Sequence, residues 1–436
     1  MRFIRQLIDK GNAKHLITHS IYKNMVTLAS GQVVAKIIGI LAMPIITRIY
    51  LPEDYGIMTI FVSILTFMLP IATLGYLHAI PLPKNERYTV NLVFLCFIIQ
   101  GLTSIIVIIL FWVIHPALYL FFPKSDFDYW WFLLPAFFGL SLYNILHIWA
   151  IRNKEFRELS KIRIRQSIFS NIIRISIGLL GYKTLGLLGG QIFSQLGGTF
   201  TLLKLLAWDI KEKIRWVTIK RMIVCWKRHM SFPVFRLPSE YLLVFASQLI
   251  TPFFAWRFGM LEVGSLGFAL IFIGLPMNLV GQSTGHAYYS EIARLGVKDS
   301  KLIFQITVSV CKRFMLIALP LFLILFFFSP RLFELLFGNE WRTAGIYTSI
   351  LSVYMIPQLI YAPIGNGIIN VYGRQKLIFK SNMIRLSFVL GAFFVAYQAE
   401  LTVIETLWTY SILSAIYFII MSLLVLNIVR SHKFGS

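Results

Sequence analysis

Charge is scarce in this chain, and negative charge is scarcer. Only 14% of the residues are charged, and 18 Asp and Glu stand against 41 Lys and Arg. A soluble domain is nearer a quarter charged, so water is not the solvent for most of this surface. Cysteine is almost missing. Cys96, Cys225 and Cys311 form no CxxC pair and show no metal-ligand spacing, which excludes a disulfide framework and a zinc site. They read as small apolar residues, Cys225 within a basic loop. There is no phosphate-cradling Gly-rich loop, no HExxH and no GxSxG, so nothing supports an enzyme or implies a cofactor. No polar stretch is long enough for a separate soluble domain. No cleavable signal peptide is evident either. Residues 1–23 are basic, with Phe3, Ile4, Leu7 and Ile8 on one face if helical, and read as an interfacial segment.

Apolar residues are abundant: 58% of the chain, with a mean hydropathy of +0.75. They cluster in runs long enough to cross about 30 Å of hydrocarbon. Spans are expected near 24–47, 57–80, 89–114, 130–150, 163–182, 184–208, 232–256, 264–290, 306–328, 344–371, 377–397 and 402–429. The reading is an all-α membrane protein of about 12 transmembrane helices.

The cations test that count. With the N-terminus inside, and cations near the inner ends of spans counted with the adjoining loop, 31 of the 41 fall inside and 6 outside. The other 4, Lys36, Arg174, Lys204 and Arg236, lie within spans. One error in the count would invert every later loop, so both termini are expected in the cytoplasm. The net charge of +23 is confined to loops, so it marks membrane orientation, and nucleic acid is not an expected partner.

The basic run Lys211 to Arg228 divides six spans from six. This gives an N-lobe over 24–208, a linker over 209–231, a C-lobe over 232–429 and a tail over 430–436. A short echo joins the halves. RIYLPEDYG follows the first span and ends at Gly56; RFGMLEVG follows the seventh and ends at Gly264. That pattern predicts a parallel repeat. The glycines of GLLGGQIFSQLGG, including the pair Gly186 and Gly190, predict close helix packing.

Polar residues at membrane depth are the candidate site. A charge at the bilayer centre costs at least about 2.5 kcal/mol, so it rarely faces lipid. Lys36 has Gln32 one turn before it. Arg174 shares a face with Asn171 and Ser167. Arg236 and Glu240 are four apart, with Ser247 further along. Asn278, Gln282 and His286 form one stripe, and Gln358, Asn366 and Asn370 another. Lys204 lies close enough to the inner end to snorkel. The stripes read either as the lining of one wet cavity or as interhelical hydrogen-bond glue. Glu240 reads as a partner of Arg236 or as an ion-coupling group. Lys36, Arg174 and Arg236 give the interior a positive balance that favours an anionic head group such as phosphate or pyrophosphate.

Four stretches carry a family resemblance: TLASGQVVAKIIGILAMPIITRIYLPEDYGIMTIFVSI (27–64), RNKEFRELSKIRIRQSIFSNIIRISIGLLG (152–181), LLFGNEWRTAG (335–345) and NVYGRQK (370–376). The chain resembles polysaccharide transporters of the multidrug/oligosaccharidyl-lipid/polysaccharide (MOP) exporter superfamily, in particular O-antigen flippases. The resemblance implies a MATE-like fold of two six-helix lobes working by alternating access in the bacterial inner membrane. It implies an undecaprenyl-diphosphate-linked oligosaccharide as substrate, membrane lipids as surroundings and other polysaccharide-assembly proteins as partners. Competing readings are a lipid II or teichoic-acid-type flippase, a drug/cation antiporter that would need more buried acids than Glu240, and a membrane transferase that would need a larger outer loop.

Overall fold

The computed structural model describes residues 30–83, 85–118, 131–211, 213–277, 281–374 and 376–434. The basic segment 1–23 lies outside these residues. The described chain is helical throughout, and it crosses back and forth as a multi-pass membrane protein. Eight helices are long and apolar enough to span a bilayer, and a bent pair makes a ninth, among the described residues.

In chain order the helices are α1 (Ser30–Ile49), α2 (Pro52–Met68), α3 (Glu86–Leu118), α4 (Leu133–Arg152), α5 (Phe156–Leu179), α6 (Lys183–Leu196) and α7 (Thr199–Ile210). There follow α8 (Ile219–Arg228), α9 (Leu237–Gln248), α10 (Ile250–Phe258), α11 (Met260–Pro276) and α12 (Gln282–Leu295). The last four are α13 (Ser300–Phe337), α14 (Arg342–Val371), α15 (Lys376–Gln398) and α16 (Val403–Phe434). The expected spans that miss the simple length and hydropathy test are α5, the pair α6–α7 and the pair α11–α12. Each misses for a local reason. α5 is polar, α6 and α7 part at Gly197 and Gly198, and α11 ends at Pro276.

Helix starts follow from the sequence. At α2, Pro52 takes the first position, where its missing N–H costs nothing, and the Asp54 carboxylate accepts from the Leu51 N–H at 3.0 Å. At α16, Thr402 and Glu405 form a full capping box: the carboxylate accepts from the Thr402 N–H at 2.8 Å and the hydroxyl accepts from the Glu405 N–H at 3.4 Å.

Helix ends reveal a repeat that hydropathy does not carry. α4 closes with Lys154 at φ 64°, bonded Lys154 N–H to Ile151 O and Glu155 N–H to Ala150 O. α5 closes the same way at Gly181, α14 at Gly373 and α15 at Glu400. Each is a left-handed Schellman cap. The spacing from Lys154 to Gly181 equals that from Gly373 to Glu400, 27 residues in both. The same pair of caps thus recurs at one spacing in both halves of the chain.

The chain forms two compact units. One takes the chain up to Met43 and Met68–Leu237; the other takes Pro44–Phe67 and Pro238 onward. The division cuts α1 at Pro44, so the end of α1 and nearly all of α2 belong to the C-terminal unit. It also leaves the basic linker with the N-terminal unit. There Asn91 of α3 accepts from the Thr218 N–H at 3.0 Å and donates to Trp216 O at 3.0 Å. Thr218 caps α8, whose Met222 and Cys225 are buried. Cys225 thus sits on a packed helix and not in an open loop.

In the C-terminal unit, two of the resemblance stretches, 27–64 and 335–345, meet the internal echo that ends at Gly264. Gly56 of α2 and Gly264 of α11 pack on each other's backbone. A Cβ on Gly56 would strike Met260 O, and one on Gly264 would strike Pro52 O. Trp341 is fully buried, donates its indole N–H to Thr47 O at 3.1 Å, and meets Tyr55 edge-on at 5.0 Å. Tyr347 hydrogen-bonds the Glu262 carboxylate. These motif residues are packing residues.

Candidate functional site

The N-terminal unit builds a cationic stripe along α5. The helix packs on α1 where Gly31 leaves room for Ser160, and Ser167 Oγ donates to Ala35 O at 2.6 Å. Those two contacts turn the face carrying Arg163, Ser167, Asn171 and Arg174 toward Lys36, the residue after Ala35. Arg163 and Lys36 are both half-buried and repel each other, and among the described residues neither has an acidic partner. Asn171 is buried and donates to Ser167 O at 2.8 Å. Arg174 stands about two turns, or roughly 10 Å, beyond Ser167.

Arg174 is held by α6. Its guanidinium donates to Gln191 Oε1 at 2.8 Å, and its stem lies over Gly190. A side chain at position 190 would occupy the space of Arg174 Cγ, with Ser170 O only 2.9 Å away. The expected glycine packing is therefore packing against the Arg174 side chain. Beside Arg163 lies a buried polar set from α4 and α5. Its guanidinium is 5.4 Å from the Tyr143 ring, Tyr143 is 5.6 Å from His147, and Gln166 is 4% exposed.

The sequence-predicted residues distribute unevenly. Lys36 follows Ala35, which meets Ser167 of the α5 stripe; Asn171 and Arg174 lie further along that stripe, and Gln32 lies half-buried on α1 one turn before Lys36. Arg236 does not join them. It is exposed on a π turn over Phe232–Arg236, whose Phe232 packs beside Gly75. Lys204 lies over the Phe200 ring at 5.0 Å. In the C-terminal unit Glu240 and Gln358 are half-buried, while Asn366 and Asn370 are exposed on α14. Asn278 lies outside the described residues, as do the side chains of Gln282 and His286.

Two cations that average hydropathy assigns to inner loops lie inside helices. One is Arg163. The other is Arg385, nine residues past the start of α15 and so about 14 Å along its axis. Its guanidinium is 5.5 Å from the Phe418 ring, which in turn meets Tyr361 at 5.9 Å and Tyr417 at 5.0 Å, while Tyr354 meets Tyr410 at 6.0 Å. The tyrosines carried a signal: each pair is seven residues apart, which stacks it on one helix face. This tyrosine cage holds the cation on the Phe418 ring face.

A family model described as "Polysaccharide biosynthesis protein" matches residues 45–346. The chain belongs to the polysaccharide biosynthesis protein family. No curated protein sequence matches it. Solved structures of the MOP superfamily share the fold of this family member. The lipid II flippase MurJ, in an inward closed conformation, aligns at a TM-score of 0.70 and 15% identity, covering 92% of this chain and 87% of that one. An inward-facing MATE family multidrug resistance transporter aligns at 0.64 and 13% identity, covering 92% and 96%. The Vibrio cholerae MATE transporter VcmN in its bent form aligns at 0.56 and 15% identity, covering 95% and 98%. At such identities the likeness fixes the architecture of this polysaccharide biosynthesis protein: the MATE-like arrangement of about twelve helices in two six-helix lobes.

Proposed function

We propose that this protein is a flippase. It carries an undecaprenyl-diphosphate-linked oligosaccharide, an O-antigen or similar surface polysaccharide repeat unit, from the cytoplasmic to the periplasmic leaflet by alternating access. The observation that supports this most is the α5 stripe facing Lys36. Lys36, Arg163 and Arg174 donate charge-assisted hydrogen bonds to a diphosphate, and a bound anion relieves the repulsion between Lys36 and Arg163. Ser167, Asn171 and Gln191 supply neutral hydrogen bonds along the same line. The polarity runs against a cation antiporter. The reaction moves a molecule without making or breaking a covalent bond, so no catalytic residue is required. The protein works in the inner membrane with both termini in the cytoplasm, alongside other polysaccharide-assembly proteins.

The test is deletion in the native host. Surface polysaccharide is expected to fall and the lipid-linked repeat to accumulate on the cytoplasmic side. Lys36→Ala and Arg174→Ala are each expected to impair rescue at normal membrane abundance, and Lys36→Arg to rescue better than Lys36→Ala. Full rescue by both alanine variants would remove the stripe from the pathway. The likeness to a lipid II flippase supplies a second reading; accumulation of lipid II with intact surface polysaccharide would select it. Glu240 either balances Arg236 or carries a coupling proton. Recovery only in the double replacement of Arg236 and Glu240 identifies the pair.

A further inference from the structure

The NVYGRQK motif has no place in the site above, and the fold puts it at a different one. Gly373 takes φ 65° as the left-handed cap of α14, with Arg374 N–H bonded to Ile369 O at 3.0 Å. That turn releases the chain from α14 and starts α15 at Lys376. α15 and α16 then form a hairpin, so the start of α15 lies at the same end as Ser431 of α16. Between them is an open hollow of about 720 Å³. Arg374, Lys376 and Lys380 line it on one side, Asn427 and Ser431 on the other, and Leu377, Leu424 and Ile428 form its floor. No carboxylate is among its lining residues.

Two features give the class of ligand. Three cations with two hydrogen-bonding side chains suit a phosphate group. One turn further along the helices, Ile384, Ile420 and Leu423 are 43%, 46% and 61% exposed, so an apolar surface adjoins the hollow. A soluble anion would have no use for that surface. The charge census places this end at the cytoplasmic surface, where anionic lipids attract basic residues.

We propose that this hollow binds an anionic phospholipid of the bilayer, its phosphate held by Arg374, Lys376 and Lys380 and its acyl chains laid along the α15–α16 surface. The bound lipid bridges the start of α15 and the end of α16. The inference is independent of what the protein transports.

The experiment uses the full-length purified protein in nanodiscs and native mass spectrometry of retained lipid. Phosphatidylglycerol is expected to be retained over phosphatidylcholine. The triple variant Arg374→Gln, Lys376→Gln, Lys380→Gln is expected to weaken retention about a hundredfold, at roughly fivefold for each cation. A control triple at exposed cations elsewhere, Arg165→Gln, Lys220→Gln and Lys301→Gln, is expected to lose less than threefold. Asn427→Trp fills the hollow with all three cations intact and is expected to lose the lipid too, which keeps the test decisive if the charge variant misfolds. Equal loss in the control, unchanged retention in Asn427→Trp, or displacement by inorganic pyrophosphate as effective as by lipid would each overturn the proposal.

Discussion

At the scale of single residues, the site rests on cations whose positions are set by small neighbours. Gly190 is the sharpest case. Gly190→Ala puts a methyl where the Arg174 stem lies. We expect it to lower rescue of surface polysaccharide nearly as far as Arg174→Ala, with a stability loss of about 1–3 kcal/mol from overpacking. Complementation at matched abundance, with thermal unfolding of the purified protein, checks both parts; wild-type rescue would show that Arg174 tolerates displacement. Arg385 offers a second test. Arg385→Gln removes the charge from the tyrosine cage, and Arg385→Lys keeps it. The Gln form is expected to transport less well and to lose about 0.5–2 kcal/mol of cation–π stabilisation. Equal behaviour of the two forms would leave the cage without a role for charge.

At the scale of helices, crossings and caps decide the architecture. The α2–α11 crossing depends on two glycines whose backbones touch. Gly264→Ala drives a Cβ into Pro52 O, which is main chain and cannot rotate away. We expect a marked fall in folded protein, measured by detergent-extracted monodisperse yield, whereas Gly39→Ala, with nothing within 4 Å of the added atom, is expected to be harmless. The caps predict the opposite sign. Lys154 and Glu400 adopt φ 64° and 50°, a conformation that strains a residue bearing a Cβ. Lys154→Gly and Glu400→Gly are expected to raise stability by about 1 kcal/mol each. A lower melting temperature in both would mean that their side chains do more for the folded state than the strain takes away.

At the scale of the whole molecule, the open question is orientation. Cys225 is an unsuitable probe because it is 1% exposed, with its Sγ 3.8 Å from Tyr88 O. Burial holds its thiol above the usual range, with Arg228 pulling the other way, so the reactive thiolate is scarce. Lys220 lies on the exposed face of the same helix. A Lys220→Cys protein is expected to react with a membrane-impermeant maleimide in inverted vesicles and not in spheroplasts. Labelling in spheroplasts would reverse the topology and move the proposed lipid hollow to the outer leaflet.

The sequence by itself determined the solvent, the helix count and the family. Each is additive: hydropathy, charge bias and motif identity accumulate along the chain whatever the chain touches later. It also singled out Lys36 and Arg174 as candidates, because a cation in an apolar run is costly wherever the run is placed. Depth within a span was less legible. Arg163 and Arg385 look like loop residues when a span is drawn by average hydropathy, and only the real helix starts at Phe156 and Lys376 show how far in they lie. Partnership was not legible at all. That Gln191 receives Arg174, that Ala35 receives Ser167 and that Gly56 meets Gly264 are contacts between residues far apart in the chain. Helical periodicity assigns a residue to a face, and only tertiary packing decides what that face meets.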